Sequence, residues 1–304
     1  MSETLQRQAP EAAAAGIAGA ATGGARRTRA IADIAVHLDG SGRDEAKIAY
    51  AETIANVFDA HLDFLFANVV PSVSMPLGPG SDWLVAEIWN NAEKAGNAFE
   101  EALKKRVERV EPIHELRRVD GQIADLSLAA ARLARTSDLF VVAQPVPDPD
   151  HSDQILEAVL FAAGATTLIV PKAPPSPREP KVIAIGWRDT RECSRAVAAA
   201  LPFLMRAEEV HLISVAEDVA DEERHLQPAA DMARHLARHG VAVEIRNVPQ
   251  WHHPGAGLLN EAGAVGADLV VSGAYSRSRF RESIFGGVTR ELLKSSPIPI
   301  LMAH

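Results

Sequence analysis

Short apolar runs alternate with longer amphipathic stretches along most of the chain, and the whole alternation occurs twice. In the first half the runs AIADIAVHL, HLDFLFANVV, IHELRRV, DLFVVAQ and TTLIVP read as strands. Helical periodicity fills the gaps at about 43–58, 83–110, 122–135 and 153–162. In the second half KVIAIGW, EVHLISVA, VAVEIRNV, DLVVSGA and IPILMA repeat the strand series, with helices over 191–204, 222–239, 257–265 and 288–295. Continuous Val, Ile and Leu runs are what strands buried on both faces require, so the sheets are expected to be parallel.

The halves also match in detail: TSDLFVVAQP aligns with GADLVVSGAY, and TTLIVPK with IPILMAH. Between them PKAPPSPREP, residues 171–180, carries five prolines in ten positions, which no helix or central strand tolerates. The expected organisation is α/β. A tail at 1–29 precedes a doubly wound five-stranded unit at 30–170, a semi-rigid linker at 171–180 and a second such unit at 181–304. Sheets of this kind take ligands outside the carboxyl ends of their strands, where strand order reverses. That crevice gathers HLDGSG, NVVPS and AQPVPD in the first unit. In the second it gathers GWRDT, VAEDV and the stretch from Ser272.

Charge and composition narrow the classes. A net charge of −9 argues against binding nucleic acid over the whole surface. The lone Cys193 excludes an internal disulfide and fits a reducing cytoplasm. No run of about eighteen apolar residues is present, so no membrane span is expected. The small-residue stretch EAAAAGIAGAATGGA lacks both the basic flank and the Leu/Phe-rich core of a secretory signal, and is expected to be a disordered tail.

Against the acidic background, SGAYSRSRFRESIFGGVTREL is basic. From Gly273 to Arg290 it holds four arginines (277, 279, 281, 290) and one glutamate. It follows a strand and runs into a helix. Gly273 suits a turn at the strand end, Gly286 and Gly287 let backbone N–H groups approach an anion, and Thr289 offers a hydroxyl. Arg277 and Arg279 add charge-assisted hydrogen bonds. The residues by themselves fit either a phosphate cradle or a solvated loop with capping glycines.

The segment GADLVVSGAYSRSRFRESIFGGVTRELLKSSPIPILMAH resembles the closing part of universal stress proteins, and the likeness to the tandem two-domain bacterial branch runs from about residue 30 to 304. Nucleotide-binding members carry Gly-x-x-Gly, nine residues, then Gly-Ser or Gly-Thr. Gly273 stands at the first glycine, Ser276 replaces the second, Gly286 is the third, and Gly287 takes the Ser/Thr position. The family's adenine and ribose contacts are an Asp after the first strand and a Val after the second. Arg188 stands at that Asp, followed by Asp189, and Val215 matches the Val. The resemblance implies a cytoplasmic stress-response protein that binds ATP, with Mg2+, in its second half and has no catalytic residues. A nucleotide-free protein-interaction module is the alternative. The first half keeps Asp39 and Val69 but lacks the glycine pair and arginines, so it is expected to be a structural partner. The two halves would pack as a pseudo-dimer through their final strands. Pairing of two chains stays open.

Other signals are weak. DGSGRDE has Glu45 where a dinucleotide fingerprint needs glycine, and a helix cap by Ser41 is the better reading. His235 and His239 share a helix face without the glutamate of a metalloprotease, so no metal is expected. His252 and His253 read as loop residues near the crevice, and Cys193 as a small buried residue.

Overall fold

A computed structural model describes residues 30–72, 82–146, 152–216, 219–249, 251–274 and 287–304. The tail and the positions of Ser276, Arg277, Arg279 and Gly286 lie outside the described residues.

The first unit runs β1 (Asp33–Leu38), α1 (Asp44–Phe58), β2 (His61–Val69), α2 (Asp82–Val107), β3 (His114–Gly121), α3 (Ile123–Ala134), β4 (Leu139–Ala143), α4 (Ser152–Glu157) and β5 (Thr167–Val170). The second runs β6 (Val182–Gly186), α5 (Arg191–Leu204), β7 (Glu209–Val215), α6 (Val219–Arg238), β8 (Glu244–Val248), α7 (Pro254–Ala264), β9 (Leu269–Gly273), α8 (Gly287–Ser295) and β10 (Ile300–Ala303). All strands lie in one ten-stranded sheet of order β3-β2-β1-β4-β5-β10-β9-β6-β7-β8. Within each unit the pairing is parallel, and the units join where β5 runs antiparallel to β10.

Burial follows position in the sheet. The central strands β4, β5 and β10 are buried at every residue, whereas edge strand β3 exposes Glu115, Arg117 and Asp120. Alternate side chains feed two cores. One joins Ile34, Val36 and Leu38 to α1, α5 and α6. The other joins Ala35 and Phe140 to α3, α4, α7 and α8.

The two units superpose in register. Ile34 pairs with Leu139 as Ile183 pairs with Leu269, which makes Asp39 the counterpart of Arg188. The same offset maps the buried face of α1 (Asp44, Lys47, Ile48, Ala51, Ile54, Ala55) onto that of α5 (Cys193, Ala196, Val197, Ala200, Phe203, Leu204).

Some sequence expectations are corrected. Residues 158–163 are π-helical and end at Gly164 in the left-handed region (φ 67°), so the helix expected over 153–162 divides in two. Strand β8 starts at Glu244 rather than at 241, because Val241 is drawn into the core instead of the ladder. Arg43 occupies the cap position of α1, and the Ser41 hydroxyl two residues earlier accepts the Arg43 N–H at 3.3 Å. The Asp44 carboxylate reaches back to the N–H groups of Asp39 and Gly40 at 3.2 and 2.8 Å.

Candidate functional site

In the second unit the helices α5 and α7 start at the carboxyl ends of their strands, as the winding of a parallel sheet requires. Thr190 caps α5, its hydroxyl accepting the Cys193 N–H at 3.3 Å. Gly273 ends β9 directly against that first turn. A Cβ there would lie 2.5 Å from the Cys193 nitrogen and 2.6 Å from the Glu192 carbonyl carbon. The role of Gly273 is therefore close approach of backbone to backbone. It is not a left-handed turn, since its φ is not positive. The counterpart in the first unit, by the same register, is Ala143.

Gly287 opens α8 with nothing within 4 Å of where a Cβ would stand, and Thr289, in the first turn, is buried. Glu291 fastens α8 to α7. Its carboxylate accepts the N–H groups of Gly255 and Ala256 at 2.8 and 3.3 Å and meets His253 Nδ1 at 2.9 Å. The amino terminus of α7 is thus closed by a carboxylate from its own chain. Glu291 gives no signal in the sequence, because its partners lie about 36 residues away.

Of the sequence candidates, the structure brings Arg188, Asp189 and Gly273 to one end of β6 and β9. Arg188 is half-buried and Asp189 exposed. Val215 ends β7 alongside, half-buried. By register its counterpart in the first unit is Ala67, since Ile213 sits opposite Gly186 as Leu65 sits opposite His37. Val69 lies two residues further on. The helix that carries Gly287 and Thr289, α8, is fastened to α7 through Glu291.

Two crevice residues escaped sequence reading. The Trp187 indole N–H and the Ser214 hydroxyl are both buried and have no hydrogen-bond partner. Trp187 N–H donates to the Ile213 carbonyl, so the two residues neighbour each other at the ends of β6 and β7. Leu38 and Phe66 occupy the matching places in the first unit. An orphaned buried polar atom costs roughly 1–3 kcal/mol, and the first unit carries one on its own first strand, His37 Nδ1.

In the first unit the charged groups at the strand ends pair with one another. The Lys47 ammonium is fully buried, 2.8 Å from Asp44 and 3.5 Å from Asp39. Asp39 also accepts the Ser41 N–H at 2.9 Å and pairs with Arg43 at 3.4 Å. Burial opposes the charge on Asp39, but Lys47 and the Ser41 hydrogen bonds hold its carboxyl well below the usual range. His37 beneath them is pushed down to about 3 by burial and by Lys47, and stays neutral. Cys193 and Ala196 stand in place of Asp44 and Lys47 in the second unit. Burial also opposes ionisation of Glu192, yet its own backbone N–H and Arg191 keep the carboxyl below the ordinary range.

The remaining candidates have ordinary settings. Cys193 is buried, with its thiol 3.8 Å from the Gly186 carbonyl. The rings of His235 and His239 meet edge to face at 4.9 Å. Among the described residues no three His, Cys, Asp or Glu side chains are grouped to hold a metal, and no helix is long and apolar enough to cross a membrane.

Fold and register together define a two-unit, doubly wound α/β protein. Residues 181–304 match the model of the universal stress protein family, so the chain carries a universal stress protein domain in its second half. The whole fold is similar to that of a universal stress protein from Archaeoglobus fulgidus DSM 4304, with a TM-score of 0.65 at 15% identity over 89% of this chain and 95% of that one. A protein of unknown function from Pseudomonas aeruginosa PAO1 gives a TM-score of 0.53 at 16% identity, covering 90% and 92%. Comparison with curated proteins finds no match.

Proposed function

We propose that residues 181–304 bind an adenine nucleotide, ATP with Mg2+, and that binding is a regulatory signal in a stress response rather than a catalytic step. The observation that carries this reading is the approach at Gly273. The first turn of α5 closes on the end of β9 at a distance no Cβ permits, which brings helix N–H groups to the mouth of the crevice. Gly287 leaves open space at the start of α8, and Thr289 lies in its first turn. In this reading Ser276, Arg277, Arg279 and Gly286 line the phosphates, while Arg188, Asp189 and Val215 face the nucleoside. Residues 30–170 serve as a structural partner joined through the last strands, a role supported by the paired charges at their strand ends and the β5–β10 pairing.

Calorimetric titration with MgATP tests the site. Heat of binding that is lost in Gly286→Val is expected; no heat at millimolar nucleotide refutes the reading. A second reading, a nucleotide-free interaction protein, is favoured by one observation: a cationic Arg188 stands where the first unit has Asp39. Mass spectrometry of ligands released on denaturing freshly purified protein separates the two, since only a nucleotide site releases an adenine compound.

A further inference from the structure

The proline segment between the units is fastened to both. Gln144 Oε1 accepts the N–H of Lys172 at 3.0 Å, and the Tyr50 hydroxyl donates to the Pro175 carbonyl at 2.9 Å. On the other side Arg178 Nε donates to Asp268 at 2.9 Å, and Arg206 Nε to Glu179 at 2.6 Å. Gln144 and Tyr50 belong to the first unit, Asp268 and Arg206 to the second. The segment is a strap over the junction, stiffened by its prolines.

Beneath the strap lies a cavity of about 120 Å3. Its walls are Ile54 of α1, Leu168 of β5, Phe203 of α5, Ala267 and Leu269, with Pro175 of the strap above. Ile54, Leu168, Phe203, Ala267 and Leu269 are buried and apolar, Pro175 is exposed, and Tyr50, Ser176, Arg178 and Asp268 complete the lining. The polar groups at its rim are already engaged: Tyr50 with the Pro175 carbonyl, and Asp268 with Arg178 and the N–H groups of Lys181 and Val182 at 2.9 and 3.1 Å. Ser176 lies at the exposed edge. The space opens to solvent past Ser176 and Arg178, and water inside it meets a mainly apolar wall, from which an apolar molecule displaces it at little cost. A dry apolar cavity of about 150 Å3 accepts benzene.

We propose that this cavity is a binding site for a small uncharged apolar molecule, aromatic or alicyclic, of about six to eight carbon atoms. Such a molecule touches both units and the strap at once, so its binding free energy is added to the cohesion of the junction. The site is separate from the strand-end crevices and independent of nucleotide.

Toluene is the probe, with the full chain observed by methyl NMR and thermal melting. Saturable shifts at Ile54, Leu168 and Leu269 are expected, with a rise in Tm of about 2–4 °C. Benzylammonium, which would bury a charge, is expected to give neither. Ala267→Leu fills the cavity from one wall and Ile54→Phe from another; whichever variant retains its circular dichroism is expected to lose the toluene response. Tyr50→Phe releases the strap and is expected to weaken toluene binding about 3- to 10-fold. Absence of methyl shifts in the unmodified chain overturns the proposal, as does an undiminished response in a folded, filled variant. Unchanged affinity in Tyr50→Phe removes the strap from it.

Discussion

The two strand-end crevices start from the same backbone and diverge in the side chains placed there. In the first unit Asp39, Asp44 and Lys47 neutralise one another below the surface, and Arg43 closes the rim. In the second the corresponding positions are Arg188, Cys193 and Ala196, so the buried Asp–Lys pair of the first unit has no equivalent at these positions. A duplicated scaffold can thus keep the same backbone while the charged side chains at its two strand ends differ. The acidic residue shared with the nucleotide-binding pattern, Asp39, sits in the copy where it is already engaged.

The largest effect expected from breaking this comparison is at Lys47. Lys47→Ala leaves two buried carboxylates without their cation and should cost about 3–5 kcal/mol in urea unfolding. Installing the second unit's set, Asp39→Arg with Asp44→Cys and Lys47→Ala, should recover most of that loss. Failure to recover would mean that the cluster is held by more than its own charges.

Gly273→Ala comes next. It drives a methyl group into the α5 backbone and should cost about 1–3 kcal/mol, with movement of the α5 amide resonances. The reciprocal Ala143→Gly should cost no more than about 1 kcal/mol, because only chain entropy and one methyl group change. Equal costs would remove the distinction between the two strand ends.

A third contrast lies at the opposite end of the strands. Asp63 on β2 and His211 on β7 occupy matching positions, beside Glu115 and Arg117 in one unit and Glu244 and Arg246 in the other. Burial and a hydrogen bond with Glu115 push Asp63 up to about 7, against the pull of Arg117. Glu115, hydrogen-bonded to Asp63 and Arg117, is held down to about 2. An unfolded Asp ionises near 3.9, so between about pH 4 and 7 the folded chain holds a proton that the unfolded chain has lost. This pair's contribution to stability therefore falls as pH rises through that window and is level above it. Asp63→Asn should gain about 1–2 kcal/mol on the unmodified chain between pH 5 and pH 8, after allowance for solvent screening. A constant difference across that range would show that the pair does not share a proton.

The smallest effect is expected at Glu291. Glu291→Ala leaves the first N–H groups of α7 without their acceptor and should cost about 1 kcal/mol by chemical denaturation. A null result would mean that water replaces the carboxylate.

How far the chain could be read from its residues depended on range. Strands such as β4 and β10 announced themselves, because burial on both faces demands unbroken apolar runs. Helix α5 matched its expected span of 191–204, with a capping Thr190 in front and an apolar stripe behind. The π-helical turn at 158–163 could not be read, since apolar residues follow one another there and blur any period. Lys47 could not be read either: four positions from Arg43 and three from Asp44, it looks like one of a solvated series on a helix face. Of the candidate site, Gly273 was recognised as necessary for the wrong reason. Trp187 and Ser214 were passed over as ordinary strand residues.

The sequence by itself determined that this protein is a duplicated α/β chain, because periodicity and repetition are local properties that each segment carries. It also marked the second unit's closing segment as the candidate site, through glycines and arginines placed between a strand and a helix. Only the tertiary structure decided how the groups at each strand end are engaged. That depends on whether a lysine eight residues from Asp39 turns inward to meet it, and on how closely α5 lies against β9. These contacts are made across the sheet, where no pattern along the chain records them.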